Sequence, residues 1–168
     1  YSMSVMCESI LDFPESIKDN MSIIIFDTMG IFWTMKYPNK KDEGLLEEWG
    51  LQPKGFDIDL FVPKGYFQDY KDEGIPADYE FALQPKLLNA GDWCNVFGID
   101  INSDDGVLIS RVIKRLSGDY SMTDILNEIE DDDKSEQRVK DRVQGLFISA
   151  NTWGLFDEEA VDLNKIAD

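Results

Sequence analysis

The chain has 168 residues with 34 acidic and 16 basic side chains, which give a formal net charge of −18 at pH 7. Its 43% hydrophobic and 12% aromatic residues suffice for a packed core and exclude a disordered polypeptide. It contains no histidine, which excludes Ser-His and Cys-His nucleophile pairs and His-ligated metals. The apolar runs are too short for a transmembrane helix, so we expect a cytoplasmic protein with no membrane partner. The acidic charge disfavours broad contact with nucleic-acid backbones.

The first predicted elements are a helix and a buried strand. Apolar side chains recur every three or four residues over 2–13, which predicts an amphipathic helix that Pro14 ends. Residues 23–26 are all large and apolar, which predicts a strand over 22–26 that is buried on both faces, as in a parallel sheet. Parallel strands need neighbours, so a helix before this strand implies a missing upstream strand. Because the chain also begins at Tyr1, we expect it to be a piece of a longer polypeptide.

Shorter elements are predicted between this strand and Pro85. Alternating apolar and acidic side chains predict a half-buried strand over 56–62. The other predictions are a long connection over 27–41, short helices over 42–49 and 66–72, and a brief strand over 79–83.

The chain changes character near Pro85, and the remainder is predicted to be helical. Ser121 and Asp124 form a partial capping box, which predicts the start of one helix. The charge pattern and the apolar spacing predict three more helices. The first begins at Asp104 and Asp105 and ends near Gly118, the second contains Val139 to Ala150, and the third covers 157–167. The sequence thus predicts an α/β portion over 1–84 and a mainly helical portion over 85–168.

The most informative candidate site lies where the first predicted strand ends. Asp27 follows the apolar run directly, and Gly30 provides a turn. Open α/β sheets bind ligands at the carboxyl ends of their strands, so Asp27 is a candidate ligand-binding residue. The alternative is that its carboxylate only accepts hydrogen bonds from its own turn.

Two acidic segments are candidate calcium sites. Residues 100–106 resemble the start of an EF-hand loop, but the glycine comes one residue late and Arg111 occupies the twelfth position. We therefore interpret them as the start of a helix. The four acids of 130–133 are interpreted as a solvated hinge, with a calcium or basic-partner site as the alternative.

The sequence offers no catalytic cysteine, no phosphate-binding loop and no base-stacking surface. Cys7 and Cys94 are predicted to be reduced and partly buried. No G-x-x-x-x-G-K-[ST] phosphate-binding loop occurs, because Phe56 and Asp57 follow the suitably spaced Gly50 and Gly55. The tryptophans are predicted to be core anchors rather than a base-stacking platform: Trp33, Trp49, Trp93 and Trp153.

Taken in order, several segments resemble the middle of an archaeal HerA/FtsK-type ATPase. The most specific is Phe-Trp-Thr-Met-Lys-Tyr-Pro-Asn at 32–39, and the loosest is Asp-Thr-Met-Gly at 27–30. The resemblance covers nearly the whole chain, and its other segments lie at 2–13, 45–51, 61–66, 92–94, 97–100 and 153–156.

This resemblance implies a RecA-like parallel sheet in a hexameric ring that pumps duplex DNA with ATP and magnesium. Some members of the family work with a nuclease, which makes a nuclease a candidate partner. The P-loop would precede Tyr1 and the Walker B strand would follow Asp168. The chain alone is then expected to bind no cofactor tightly and to hold no catalytic residue, and residues 85–168 would form an insertion or lid.

One turn carries over from the family residue by residue. Asp27, Thr28 and Gly30 would lie near the nucleotide phosphates and magnesium, directly or through water. The family pattern has proline where this chain has Thr28, and an acid where it has Ile31.

Two other classes of function remain open. The charge and the striped helices favour an acidic, non-enzymatic interaction module that binds a basic partner through its helical half. A calcium-responsive domain built on residues 100–105 is the third option.

Overall fold

The computed structural model describes residues 2–18 and 21–159. Three short 3-10 helices cover Phe32–Lys36, Lys64–Tyr66 and Pro85–Leu87. The longer elements, in chain order, are α1 (Ser2–Leu11), α2 (Glu15–Lys18), α3 (Glu43–Glu48), β1 (Phe61–Pro63), α4 (Phe67–Asp72), β2 (Tyr79–Phe81), α5 (Ala90–Phe97), α6 (Asp104–Arg115), α7 (Met122–Glu130) and α8 (Gln137–Asn151). The mixed α and β class is therefore confirmed.

The predicted last helix, over 157–167, falls mainly on residues 160–168, which lie outside the described residues. Residues 157–159 are described and are not helical. No described helix is both long and apolar enough to cross a bilayer.

The four helices α5 to α8 enclose one hydrophobic core. The sequence predicted α6, α7 and α8 individually, whereas no helix was predicted at the position of α5. Each helix contributes a large side chain with no exposed surface: Trp93, Leu108, Ile125 and Phe147. The rings of Trp93 and Phe147 lie 4.8 Å apart between centroids. Full burial of one such side chain contributes roughly 1.5–3 kcal/mol, so this cluster stabilises the helical half strongly.

Side-chain caps fix where these helices begin. The Ser121 hydroxyl accepts a hydrogen bond from the Asp124 N–H at 3.2 Å, and the Asp124 carboxylate accepts one from the Ser121 N–H at 2.8 Å. This confirms the predicted capping box of α7. Ser103 caps α6 by accepting from the Gly106 N–H at 3.2 Å, with Asp104 and Asp105 in the first turn.

The acidic run 130–133 differs from its prediction as a solvated hinge. The side chain of Asp132 has no exposed surface, and its oxygens accept hydrogen bonds from Arg111 and from the Ser135 N–H. Lys140 donates to the carbonyls of Glu130 and Asp132. The hinge interpretation is therefore wrong for Asp132, because a buried carboxylate is stable where charged donors surround it.

The sheet is small and parallel. β1 pairs with β2 in the register Phe61 to Tyr79, Val62 to Glu80 and Pro63 to Phe81, and α4 lies in the connection between them. Just beyond β2, Leu83 forms a parallel bridge with Phe156. The four-helix half α5–α8 is thus itself the connection between two parallel segments, which is the way that α/β folds join parallel strands.

The chain after α8 is fastened to the α/β half by close backbone contacts. The Gly65 N–H donates to the Gly154 carbonyl at 3.0 Å, and a Cβ atom at Gly65 would lie 2.6 Å from the Gly154 Cα. The Tyr66 hydroxyl donates to the Thr152 carbonyl at 2.6 Å. These contacts hold the end of the helical half against β1 and explain why glycine is needed at position 65.

The amino-terminal portion departs most from its prediction. The predicted first helix forms as α1, and α2 begins one residue after Pro14. Residues 22–26 have no regular secondary structure and join no sheet among the described residues, so the predicted buried strand is wrong. Phe26 is 87% exposed. An apolar segment forms a strand only where a neighbouring strand provides partners for its backbone hydrogen bonds. In the described part of the chain, no strand lies beside residues 22–26.

The strand predicted over 56–62 is partly confirmed. Only Phe61–Pro63 pairs in the sheet, but the expected alternation is present upstream, where Phe56, Ile58 and Leu60 are half-buried. The interleaved acids, Asp57 and Asp59, are exposed. The burial pattern was thus readable from the sequence while the extent of pairing was not.

Candidate functional site

The candidate site is the turn that begins at Asp27. One carboxylate oxygen of Asp27 accepts from the Met29 N–H at 3.2 Å, and the other accepts from the Phe32 N–H at 2.8 Å. Gly30 has a φ of 65°, a conformation that glycine adopts without steric cost. The Trp33 indole N–H donates to the Gly30 carbonyl at 3.0 Å. The turn is therefore held in one shape by its own side chains.

The predicted site residues share this turn but not a sheet edge. Asp27 is half-buried, while Thr28 and Gly30 are exposed. The Asp27 carboxylate does accept hydrogen bonds from its own turn, as the non-ligand alternative anticipates. Each oxygen retains acceptor capacity, because a carboxylate oxygen carries two lone pairs. The Asp27 carboxylate can therefore accept a further hydrogen bond besides those from its own turn.

A cleft opens next to this turn, between Gly30 and α4. Its volume is about 620 Å³, and Gly30 forms one wall. The opposite wall carries aromatic and acidic side chains from α4 and its flanks: Tyr66, Tyr70, Ile75, Asp69, Asp72 and Glu73. The sequence analysis did not identify this wall. The signal that could have found it is the spacing of Tyr66, Asp69 and Glu73, because residues three or four positions apart lie next to each other on a helical turn.

A second cavity, of about 450 Å³, lies where the two halves of the chain meet. Lys64 and Asp157 line it and form an ion pair at 2.9 Å, and both side chains are about one-third exposed. The hydrogen bond from Lys64 to Asp157 raises the lysine pKa. A backbone N–H from Glu159 and the Lys64 partner lower the pKa of Asp157. This pair fastens residues after α8 to the end of β1.

The calcium-loop candidate folds as a helix start. The Asp100 carboxylate accepts from the Asn102 N–H at 2.9 Å, and Asp105 pairs with Arg142 on α8. In the described ranges, no three or more acidic, cysteine or histidine side chains are grouped so that they could hold a metal ion. The interpretation of residues 100–106 as a helix start is confirmed.

The predictions for the two cysteines and for Trp93 are confirmed, and the prediction for Trp49 is wrong. Cys7 and Cys94 are free and buried, and burial raises the pKa of the Cys94 thiol. Trp93 is a core anchor as predicted, with no exposed surface. The core prediction is wrong for Trp49, which is 81% exposed at the end of α3, since no described segment packs over that short helix.

Three comparisons with known proteins found no similar protein. A scan against protein-family models finds no match to this chain, and searches of curated proteins and of solved structures find no similar protein.

Proposed function

We propose that this chain is the middle portion of an ATP-hydrolysing motor that acts on duplex DNA, of the archaeal HerA/FtsK type. The observation that carries the proposal is the hydrogen-bonded turn from Asp27 to Gly30, which directly follows an apolar segment. In a RecA-like sheet this is the place from which a carboxylate reaches magnesium and the nucleotide phosphates.

The exposed apolar segment supports this arrangement. Residues 23–26 have no regular secondary structure, and Ile24 and Phe26 are 56% and 87% exposed. Water disfavours such a run unless another surface covers it. Parallel strands hydrogen-bonded along both edges, with helices packed on both faces, would make residues 22–26 the central strand that the proposal requires.

The parallel pairing also supports it. β1, β2 and the Leu83–Phe156 bridge all run in the same direction, with helices in both connections. In this proposal the helices α5 to α8 are an insertion or lid that the contacts around Gly65 and Gly154 fasten to the sheet.

The residues present fit an accessory role toward ATP and magnesium rather than a complete site. Asp27 supplies one carboxylate with spare acceptor capacity, and Thr28 supplies a hydroxyl. The backbone loop and lysine that grip phosphates have no counterpart in the sequence. The purified chain should therefore show no magnesium-dependent ATP turnover, and such turnover would contradict the proposal.

The decisive experiment is to sequence the encoding gene on both sides of this segment. A G-x-x-x-x-G-K-[ST] motif just before Tyr1, and an apolar strand ending in acids after Asp168, would support a nucleotide site that is split around this chain. A start codon directly before Tyr1 and a stop codon directly after Asp168 would contradict the motor.

A second candidate is an acidic interaction module without enzymatic activity. The net charge of −18 and the self-contained core of the helical half favour it. It predicts that the full-length protein hydrolyses no ATP, with or without DNA, and instead retains a basic protein partner through purification.

A further inference from the structure

An exposed apolar surface lies along α3, and we call it the α3 face (Leu45, Trp49 and Leu51). Leu45 and Trp49 are four residues apart, so they lie on the same side of the helix. Trp49 is 81% exposed, and both leucines are more than half exposed. Tryptophan is among the residues that most often carry the binding energy of protein interfaces. The α3 face therefore has the composition of a contact surface.

The carboxyl end of α3 is locked by backbone hydrogen bonds. The Gly50 N–H donates to the Glu47 carbonyl at 2.9 Å, and the Leu51 N–H donates to the Leu46 carbonyl at 2.8 Å. Gly50 has a φ of 71°, so this end of the helix is a Schellman motif. A helix of six residues is unstable in water on its own, and the motif stabilises it. A surface that is already ordered loses little conformational entropy when it binds.

The α3 face has opposite charges at its two ends. Lys40 and Lys41 precede the helix, and Glu47 and Glu48 end it. All four side chains are exposed, and none forms an ion pair with a residue of 2–18 or 21–159. Two α3 helices that pack antiparallel about a two-fold axis bring the lysines of each copy opposite the glutamates of the other. The face is therefore complementary in charge to itself.

The charge of the whole chain also favours this segment as the contact between two copies. Each copy carries a net charge of −18, so acidic surfaces of two copies repel each other. Residues 36–51 contain three lysines and four acids, a net charge of −1. Two copies that meet through this segment therefore experience little local repulsion, and the ends of the two helices attract each other.

We propose that the α3 face binds the α3 face of a second copy of this chain. Leu45 and Trp49 lie at the centre of the contact, and the two lysines of each copy pair with the two glutamates of the other. The contact involves far fewer than the roughly 20–30 residues a side of a standard interface, so we expect a dissociation constant on the order of 10–100 µM. It is a two-fold contact, unlike the head-to-tail contacts that close a ring. It does not use the Asp27 turn and stands independently of the nucleotide proposal.

The test is sedimentation equilibrium of the chain from about 5 to 500 µM, which brackets the expected dissociation constant. The original protein should form a dimer over this range. Trp49→Ser should weaken the dimer by about tenfold or more, because it removes the central aromatic side chain from both copies. Phe26→Ser is the matched control, since Phe26 is an equally exposed aromatic residue outside α3, and it should change the dissociation constant by less than about twofold.

Charge reversal tests the antiparallel pairing. One variant carries Lys40→Glu with Lys41→Glu, and the other carries Glu47→Lys with Glu48→Lys. Each variant alone places like charges opposite each other at both ends and should self-associate about fivefold or more weakly. An equimolar mixture restores opposite charges at both ends and should associate about as tightly as the original protein.

The lysine-rich variant also separates this pairing from diffuse repulsion. Its two Glu→Lys changes add four charges and reduce the net charge from −18 to −14. Diffuse repulsion alone would therefore make this variant associate more tightly than the original protein, whereas the proposal predicts weaker association.

A protein that stays monomeric at every concentration would overturn the proposal. Equal weakening by Trp49→Ser and Phe26→Ser would overturn it too, because the contact would then be nonspecific. Tighter association of the lysine-rich variant, or a mixture of the two charge variants that fails to associate, would likewise exclude the antiparallel α3 pair.

Discussion

Arg111 on α6 donates to both carboxylate oxygens of Asp132, at 2.8 and 2.6 Å, from a single guanidinium nitrogen. Arg115 lies 3.3 Å from the same carboxylate, and the N–H groups of Lys134 and Ser135 also donate to it. The Asp132 side chain has no exposed surface. The segment between α7 and α8 is thus anchored to α6 by one buried acid.

Removing this charge should destabilise the fold. In Asp132→Asn the amide cannot accept from all of these donors, and Arg111 keeps a partly buried charge without its partner. We expect a loss of about 2–4 kcal/mol in the free energy of unfolding, measured by urea denaturation. Asp133→Asn removes a neighbouring exposed charge and should change the free energy by less than about 0.5 kcal/mol. Equal effects of the two substitutions would refute the anchor.

The same carboxylate predicts how stability depends on pH. Burial raises the pKa of Asp132, but the Arg111 and Ser135 hydrogen bonds and the Arg111 charge outweigh it and lower the pKa from 3.8 to about 2. The folded-state pKa lies below the ordinary value, so this stabilisation is present above about pH 4 and is lost as the pH falls toward 2. It amounts to roughly 2 kcal/mol.

The control for this pH effect is the Asp132→Asn variant, which lacks the titrating group. The difference in unfolding free energy between the two proteins should be constant near neutral pH and should shrink between about pH 4 and pH 2. A difference that is unchanged over this range would show that Asp132 has an ordinary pKa.

Gly65 should tolerate no side chain. Gly65→Ala places a Cβ 2.6 Å from the Gly154 backbone, so the chain after α8 must move away from the end of β1. We expect a loss of about 1–3 kcal/mol, as overpacking typically costs. Gly145→Ala is the matched control: its Cβ meets no atom within 4 Å, and alanine favours the interior of α8 by about 0.5–1 kcal/mol. Thermal unfolding should therefore shift in opposite directions, and a shift of the same sign would contradict the account.

The cap of α7 gives a local prediction. Ser121→Ala removes the hydroxyl that accepts from the Asp124 N–H, and should cost about 1 kcal/mol. Thr123→Ala changes an exposed hydroxyl two residues further on and should be nearly neutral. Chemical denaturation of both variants checks this, and an equal cost would mean that the capping box contributes nothing.

The sequence predicted the helical half well because its signals are local. Capping residues such as Ser121 and the apolar stripe from Val139 to Ala150 fix helix starts and buried faces within a few residues. Asp132 was missed because its partner Arg111 lies on another helix, and nothing in a run of four acids shows which one will be buried.

The amino-terminal half was harder to predict because strands depend on distant partners. Residues 22–26 have the composition of a buried strand, but without neighbours they remain exposed. At the site, the turn hydrogen bonds of Asp27 could be read from its spacing to Gly30. The approach of α4 to Gly30 could not, since it depends on how the chain folds back over more than thirty residues.

The most direct test of the account is ATP hydrolysis by the full-length protein, measured with and without duplex DNA. If the chain is part of such a motor, the full-length protein should hydrolyse ATP in the presence of magnesium, and duplex DNA should stimulate that hydrolysis. Asp27→Asn should reduce it by about tenfold or more, because a charged ligand near the phosphates is lost, whereas Asp57→Asn, at an exposed acid outside the turn, should leave it unchanged. Absence of hydrolysis in the original protein, or equal activity in the Asp27→Asn and Asp57→Asn variants, would contradict the proposed motor.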